Sequence, residues 1–278
     1  DDSLVSTTPA IHAADLPGLQ ARWPVSLQTG EPLEYEMRIR RHDGEYRWFL
    51  TRIAPARDAS GAVTQWFGTS TDIDERKRAE LNRQFLSELD AKIRRLSDPD
   101  EIRWTAVQSL GEYLVAARCT LNDVDQDNLL VAITQPWHQS NAPSLKGQYH
   151  LTDLISLALI DRLRQGEAVA ITDTATDPYS ADRYATGYAP LGIAALITVP
   201  CLTEGRWVAL LSLHSETPRQ WRPEEIALVE AVATHVWPAI VKARAEQALR
   251  KSEEQLRLIT DHMPGLIAYI DVDERYGF

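Results

Sequence analysis

Along residues 34–41 (EYEMRIRR) apolar and polar positions alternate. Tyr35, Met37 and Ile39 fall on one face; Glu34, Glu36, Arg38 and Arg40 fall on the other. Period two marks a strand with one buried face. Two more strands are expected at 46–57 (YRWFLTRIAPAR) and 63–73 (VTQWFGTSTDI). The connections HDGE and DASGA between them carry Gly, which supplies positive φ cheaply. Connections this short make the three strands consecutive and antiparallel. Ahead of them, 15–29 (DLPGLQARWPVSLQT) reads as a short helical region interrupted by Pro24.

At Asp74 the period changes. Leu86, Leu89, Ile93 and Leu96 recur at helical spacing, an a/d seam that predicts pairing with another helix. Asp74 is the expected N-cap acceptor. Ser97-Asp98-Pro99 breaks this helix, and a new one is expected at 100–117 with Ile102, Ala106, Val107, Leu110 and Leu114 inward. From 119 to 215 the pattern is α/β: strand candidates TLNDV and NLLVAITQPW, an amphipathic helix at 152–165, a short apolar strand at 167–173, and a polar, aromatic loop at 174–189. A hairpin of 193–202 and 206–215 closes the region around Glu204-Gly205.

Pro223 then opens a long helix, with Pro in the first turn where its missing N–H costs nothing. Its stripe runs through Ile226, Val229, Val232, Val236, Ile240 and Ala243 to Leu256, Ile259 and Met263. About 38 residues make a rod of roughly 57 Å. One domain cannot cover it, so part is expected to pair with another helix. Pro238 is expected to kink it. The last stretch, MPGLIAYIDVDERYGF, turns at Pro-Gly and becomes strand-like.

Composition narrows the function classes. The 278 residues leave room for about two domains. A net charge of −11 argues against a broad nucleic-acid surface and against attraction to anionic lipid. Cys119 and Cys201 are far apart in sequence and form no cluster, which fits a reducing compartment. The histidines lack metal-ligand spacing, so no metal is expected. The opening residues lack the features of a signal peptide, and no run approaches the roughly 18 uninterrupted apolar residues of a membrane span. A cytoplasmic segment without membrane contact is the expectation. Gly-x-Ser-x-Gly, a phosphate-cradling Gly-rich loop, His-Glu-x-x-His, histidine-kinase ATP boxes and a Gly-Gly-Asp-Glu-Phe motif are all missing, so no catalytic residue is expected.

The runs RHDGEYRWF, GTSTDID and ERKRAE resemble the C-terminal half of a PAS domain and its junction to the next helix. Residues 97–245 resemble a GAF domain, chiefly through DPYSADRY and GIAALITVPCLTEGRWVALLSLHSETPRQWRPEEIALVEAVATHVWPAI. ALRKSEEQLRLITDHMPGLIAYIDVDERY resembles a linker helix and the first strand of another PAS domain. The resemblance implies an α+β architecture: an antiparallel PAS-type sheet, a GAF α/β/α sandwich and long linking coiled-coil helices. Its parts are a partial PAS domain (1–73), a linker helix (74–96), a GAF domain (97–245), a C-terminal coiled-coil helix (246–263) and the start of a second PAS domain (264–278). It also implies a bacterial signalling protein, most commonly a sensor histidine kinase, that forms a homodimer through its flanking helices and feeds a downstream output domain. Because the front lacks what the tail resembles, strand 266–272 is a candidate partner for the open edge of the 34–73 sheet, in the same or a neighbouring chain.

Three residue sets are candidates for function. Trp137, Tyr179, Tyr184 and Tyr188 are aromatic candidates for a GAF ligand pocket; their plain alternative is core packing. Asp72, Ile73, Asp74 and Arg76 sit where the third strand meets the helix, positioned to couple sheet to helix. Leu86, Leu89, Ile93, Leu96, Leu256 and Ile259 form the expected dimer seam. The cofactor is open: SADRYATGYAPLG has no cysteine for covalent bilin attachment. The main reading is a sensory relay. The competing readings are a constitutive dimerisation scaffold without ligand and a chromophore-binding photoreceptor module.

Overall fold

The computed structural model describes residues 10–139, 145–262, 269–270 and 276–277, with side chains as far as Leu258. The chain divides into two units, Asp1–Gln84 and Phe85–Phe278.

In the N-terminal unit, helix α1 (Leu16–Thr29) precedes strands β1 (Leu33–Arg40), β2 (Tyr46–Arg57) and β3 (Val63–Asp72). The strands form an antiparallel sheet in the order β1-β2-β3. Both hairpins turn at glycines with positive φ, 88° at Gly44 and 87° at Gly61, where a side chain would strain the backbone. The alternation read from 34–41 holds at its centre, since Met37 is buried with Leu19, Leu33 and Ile53. Helix α1 runs through Pro24 without a break. Pro24 and Gln20 are both exposed, so water can replace the hydrogen bond that proline removes. Ile11 bridges Ile39 on the outer edge of β1.

Helix α2 (Asp74–Ile93) begins in this unit and ends in the next. The C-terminal unit continues with α3 (Pro99–Tyr113), β4 (Arg118–Asp125), β5 (Leu130–Ile133), β6 (Trp137–His138), β7 (Gly147–His150), α4 (Leu151–Leu154), α5 (Leu157–Arg164), β8 (Val169–Ile171), β9 (Ala195–Thr203), β10 (Arg206–Ser215) and α6 (Pro223–His262). The sheet order is β7-β5-β4-β10-β9-β8, with β6 on β4 and every pair antiparallel. Helices cover both faces. On one face Val107 and Leu110 of α3 and Val229, Val232, Val236 and Ile240 of α6 pack on Leu121, Ile197, Leu211 and Leu213. On the other, Leu159, Ile160 and Leu163 of α5 pack with Ile171, Leu196 and Trp207.

Local chemistry explains several boundaries. The Asp98 side chain accepts hydrogen bonds from the N–H groups of Asp100 and Glu101, restarting the chain as α3 with Pro99 in its first turn. The helix expected over 152–165 is two helices. Ile155 and Ser156 are extended, and the Ser156 hydroxyl accepts from the Leu159 N–H as a new N-cap. The helix expected to reach 117 stops at Tyr113, before Val115 at φ 50°. Helix α6 runs unbroken from Pro223 to His262 with Pro238 inside it. Its Pro223–Leu258 stretch contains an 18-residue run apolar enough to cross a membrane by length and composition, with mean hydropathy 1.4. Four of its valine and isoleucine side chains are wholly covered by the sheet and α3.

One expectation needs correction. Leu89 and Ile93, placed on an intermolecular seam, are buried in the core of their own chain, with Leu86 and Leu96 packed against it. The apolar stripe is there, but α3, α6 and the sheet of the same chain satisfy it. In the tail, Tyr269–Ile270 (β11) pairs with Tyr276–Gly277 (β12). The remainder of 266–272 lies outside the described residues.

Candidate functional site

The β4, β9 and β10 strands alternate in two senses. Cys119, Leu121, Ile197, Val199, Leu211 and Leu213 face α3 and α6. The intervening positions carry Thr120, Asn122, Thr198, Ser212 and His214, all buried. Register aligns them: Ser212 lies opposite both Thr120 and Thr198, and His214 lies opposite Arg118 and Leu196. This polar row forms the floor of a cavity of about 80 Å³ roofed by apolar residues of α4, α5 and the 184–193 segment, including Leu151, Leu159, Tyr188 and Ile193.

Folding leaves part of this floor unsatisfied. Thr198 and Ser212 hydroxyls bond each other at 2.9 Å. Among the described residues, Tyr188 Oη and His214 Nδ1 are buried without a hydrogen-bond partner, as are Nε and Nη1 of Arg118. Burial and the Arg118 charge push the His214 imidazole down to about 3, so it is neutral at pH 7. Burial, with Asp177 and Asp182 nearby, raises the Tyr188 phenol and keeps it protonated. Unpaired buried polar groups each cost about 1–3 kcal/mol, so the floor is primed for a partner that supplies the missing bonds.

Of the four aromatic candidates, only Tyr188 lines the cavity. It is held by a π-helical turn, Tyr184–Tyr188, whose Gly187 passes so close to α4 that a Cβ would sit 2.8 Å from the Asp153 carbonyl oxygen. Tyr179 packs at the edge of the same core under the Arg162 guanidinium, 5.4 Å from its ring centre. Tyr184 is exposed. Trp137 is on the opposite face of the sheet, packed on Gly111 of α3, where any side chain would collide with its ring. Both thiols are on that opposite face as well, so the cavity offers no sulfur for a covalent chromophore.

The second candidate site is the end of β3. The Ile73 N–H donates to the Trp48 carbonyl at 2.9 Å, and the Trp48 N–H donates to Asp74 Oδ1 at 3.1 Å. Both polar groups of one β2 residue are thus bonded to the first residues of the helix junction. Asp72 also accepts from the backbone there: its Oδ1 receives the Asp74 N–H at 2.9 Å. The buried Asp74 carboxylate also receives Arg78 Nε at 2.7 Å. One turn on, Glu36 of β1 takes Arg76 at 2.7 Å and Lys77 at 2.8 Å. Hydrogen bonding from Lys77, then Arg76, holds the Glu36 carboxyl below its usual range against partial burial. Asp72, Ile73 and Asp74 therefore meet in one bonded junction, and Arg76 ties the first turn of α2 to β1. In the same unit a cavity of about 330 Å³ lies among Trp23, Met37, Ile53 and Trp66, with the Thr51–Ser70 hydroxyl pair on its floor.

Of the expected seam residues beyond α2, Leu256 is 61% exposed, as is Leu249 one heptad before it. The Ile259 side chain lies outside the described residues. Where α6 leaves the sheet, Arg244 grips Asp123 with two bonds of 2.8 Å, and Arg103 adds a third at 3.0 Å. Burial pushes the Asp123 carboxyl up, but the two guanidiniums outweigh it and hold it below the ordinary range.

Comparison with known proteins agrees with this architecture. The profile of the family described as GAF domain matches residues 98–240, and that described as PAS fold matches residues 2–70. The methyl sulfide methyltransferase-associated sensor of Methanosarcina acetivorans is 25% identical over 281 aligned residues, covering 96% of this chain and 28% of that protein. The peroxide stress-activated histidine kinase mak1 of Schizosaccharomyces pombe is 42% identical over 74 residues, 27% of this chain and 4% of that protein. The chain thus spans less than a third of either relative. Among solved structures, the phycoerythrobilin-bound GAF domain of a cyanobacterial phytochrome shares the fold, with a TM-score of 0.52 at 17% identity over 60% of this chain and 97% of that one. A helix-flanked antiparallel sheet with a polar-floored cavity, matched over half the sequence, places the chain in the GAF domain family, with a PAS fold ahead of it.

Proposed function

We propose that this chain is the sensory and relay segment of a signal-transduction protein, one whose output domain is a histidine kinase. Its parts are a partial PAS domain over 1–73, a linker helix over 74–96, a GAF domain over 97–245, a C-terminal coiled-coil helix over 246–263 and the start of a second PAS domain from 264. It works in the cytoplasm as a homodimer. A small molecule in the GAF cavity, or a change in the PAS sheet, biases two arrangements of the paired helices, and the output domain reads the difference.

The observation that carries this reading is the junction at Trp48. With both its backbone groups bonded to Ile73 and Asp74, strand β2 cannot shift without moving the start of α2. Helix α2 then shares a core with α6 through Leu89 and Ile93, alongside Val236 and Ile240. The pairing surface is assigned to α6 beyond Arg244, where Leu249 and Leu256 repeat at heptad spacing on the solvent side. Leu86, Leu89, Ile93 and Leu96 are used within the chain and take no part in it.

Sedimentation equilibrium at micromolar concentration tests the pairing. The expected result is a dimer that becomes a monomer when Leu249→Asp and Leu256→Asp are combined. A wild-type monomer overturns the relay reading.

A further inference from the structure

We propose that the GAF cavity binds a short aliphatic carboxylate, with its hydrocarbon part against the α4–α5 roof and its carboxylate at the His214–Arg118 end. This rests on the sensory reading above and adds the chemical class of the ligand.

Size comes first. At about 80 Å³ the cavity is roughly half the volume of an engineered apolar cavity that holds benzene. It suits a branched chain of a few carbons rather than a ring system or a nucleotide. The roof is Leu151, Leu154, Ile155 and Leu159, and among the described residues no Asp, Glu, Lys or Arg lines the wall.

Polarity comes next. Arg118 is fully buried on β4, directly opposite His214 on β10. Cross-strand partners point to the same side of a sheet, so Arg118 leaves the sheet beside His214, which lines the cavity, while Arg118 itself stands behind that wall. Its partners are weak: Nη2 is 3.3 Å from the Gly192 carbonyl and 3.4 Å from Glu216, a half-exposed carboxylate, while Nε and Nη1 are unpaired. A buried cation with incomplete pairing is a strong demand for an anion. The neutral imidazole of His214 has an unbonded Nδ1 beside it, and Tyr188 offers an unbonded hydroxyl. A carboxylate there accepts hydrogen bonds from His214 and Tyr188 and neutralises the guanidinium field. A neutral amide would satisfy the hydrogen bonds but not the charge.

The test is calorimetric titration of the full 278-residue chain at pH 7 with isovalerate and with isovaleramide, its uncharged isostere. At least a tenfold preference for isovalerate is expected. Tyr188→Phe, which keeps the ring, should weaken isovalerate several-fold. Arg118→Gln should abolish the preference for the charged ligand. Should Arg118→Gln fail to fold, the isovalerate-to-isovaleramide ratio on the wild-type protein decides alone. Equal binding of the two, tighter binding of the amide, or no binding of either overturns the inference. None of those outcomes touches the sensory reading, which is decided by helix pairing measured without added ligand.

Discussion

His214 and Arg118 face each other across the β4–β10 pair, one neutral and one charged, at the end of a buried polar row that also holds Thr120, Asn122, Thr198 and Ser212. That placement has a pH consequence. The folded-state pKa of His214 is depressed to about 3, whereas an unfolded histidine titrates near 6.5. Between these values the unfolded chain holds a proton that the folded one does not. Stability from this site is fully present above pH 6.5 and is lost progressively as pH falls toward 3, with a slope of at most about 1.4 kcal/mol per pH unit. Arg118 and Glu216 are the charged neighbours on this side, and neither relieves the penalty. Urea unfolding between pH 7 and pH 5 should therefore show a shallower loss for His214→Gln than for wild type. Equal slopes would mean that His214 protonates freely in the folded state.

Much of this residue-scale chemistry was hidden in the sequence. Tyr188 was legible because an aromatic residue in a polar loop is conspicuous. The floor was not, although its signal was present. Thr120 and Asn122 alternate in TLNDV, and Ser212 and His214 alternate in RWVALLSLHS. In a central strand both faces are buried, so period two distinguishes a polar cavity face from an apolar helix face, rather than water from core. Trp137 failed as a pocket residue for the same reason: sequence shows that it is aromatic and near a strand, but not which face it joins.

At the scale of elements, the strands and their turns were readable because alternation and Gly-bearing connections constrain them twice over. The helix at 152–165 was not, since a single serine N-cap splits a stripe that periodicity treats as continuous. Helix α2 teaches the sharper lesson. An a/d stripe shows that a helix is covered, not what covers it, and here Leu89 is only 2% exposed within its own chain. Leu89→Ala should therefore cost about 2–5 kcal/mol of stability, lowering the thermal midpoint without changing oligomeric state in ultracentrifugation. The junction before it is predicted to be a clamp rather than an ordinary turn. Asp74→Ala strands the Trp48 N–H and frees Arg78, and should cost about 1–3 kcal/mol in urea unfolding. Hydrogen exchange in the first turns of α2 should rise with it, whereas a turn without clamping would leave exchange unchanged.

For the whole molecule, the PAS and GAF folds were evident from ordered motifs covering most of the chain, while the occupant of the cavity was not, because ligand identity depends on side chains brought together from β4, β10 and the 184–193 segment. The account's central claim is that the PAS junction and the end of α6 are mechanically linked in a dimer. Spin labels introduced by Arg250→Cys, on the part of α6 beyond the Arg244–Asp123 grip, test it most directly by double electron–electron resonance. The account predicts a defined distance between the two chains that shifts when Asp74→Ala is added. A distance distribution identical with and without Asp74→Ala, or no interchain distance at all, would contradict it.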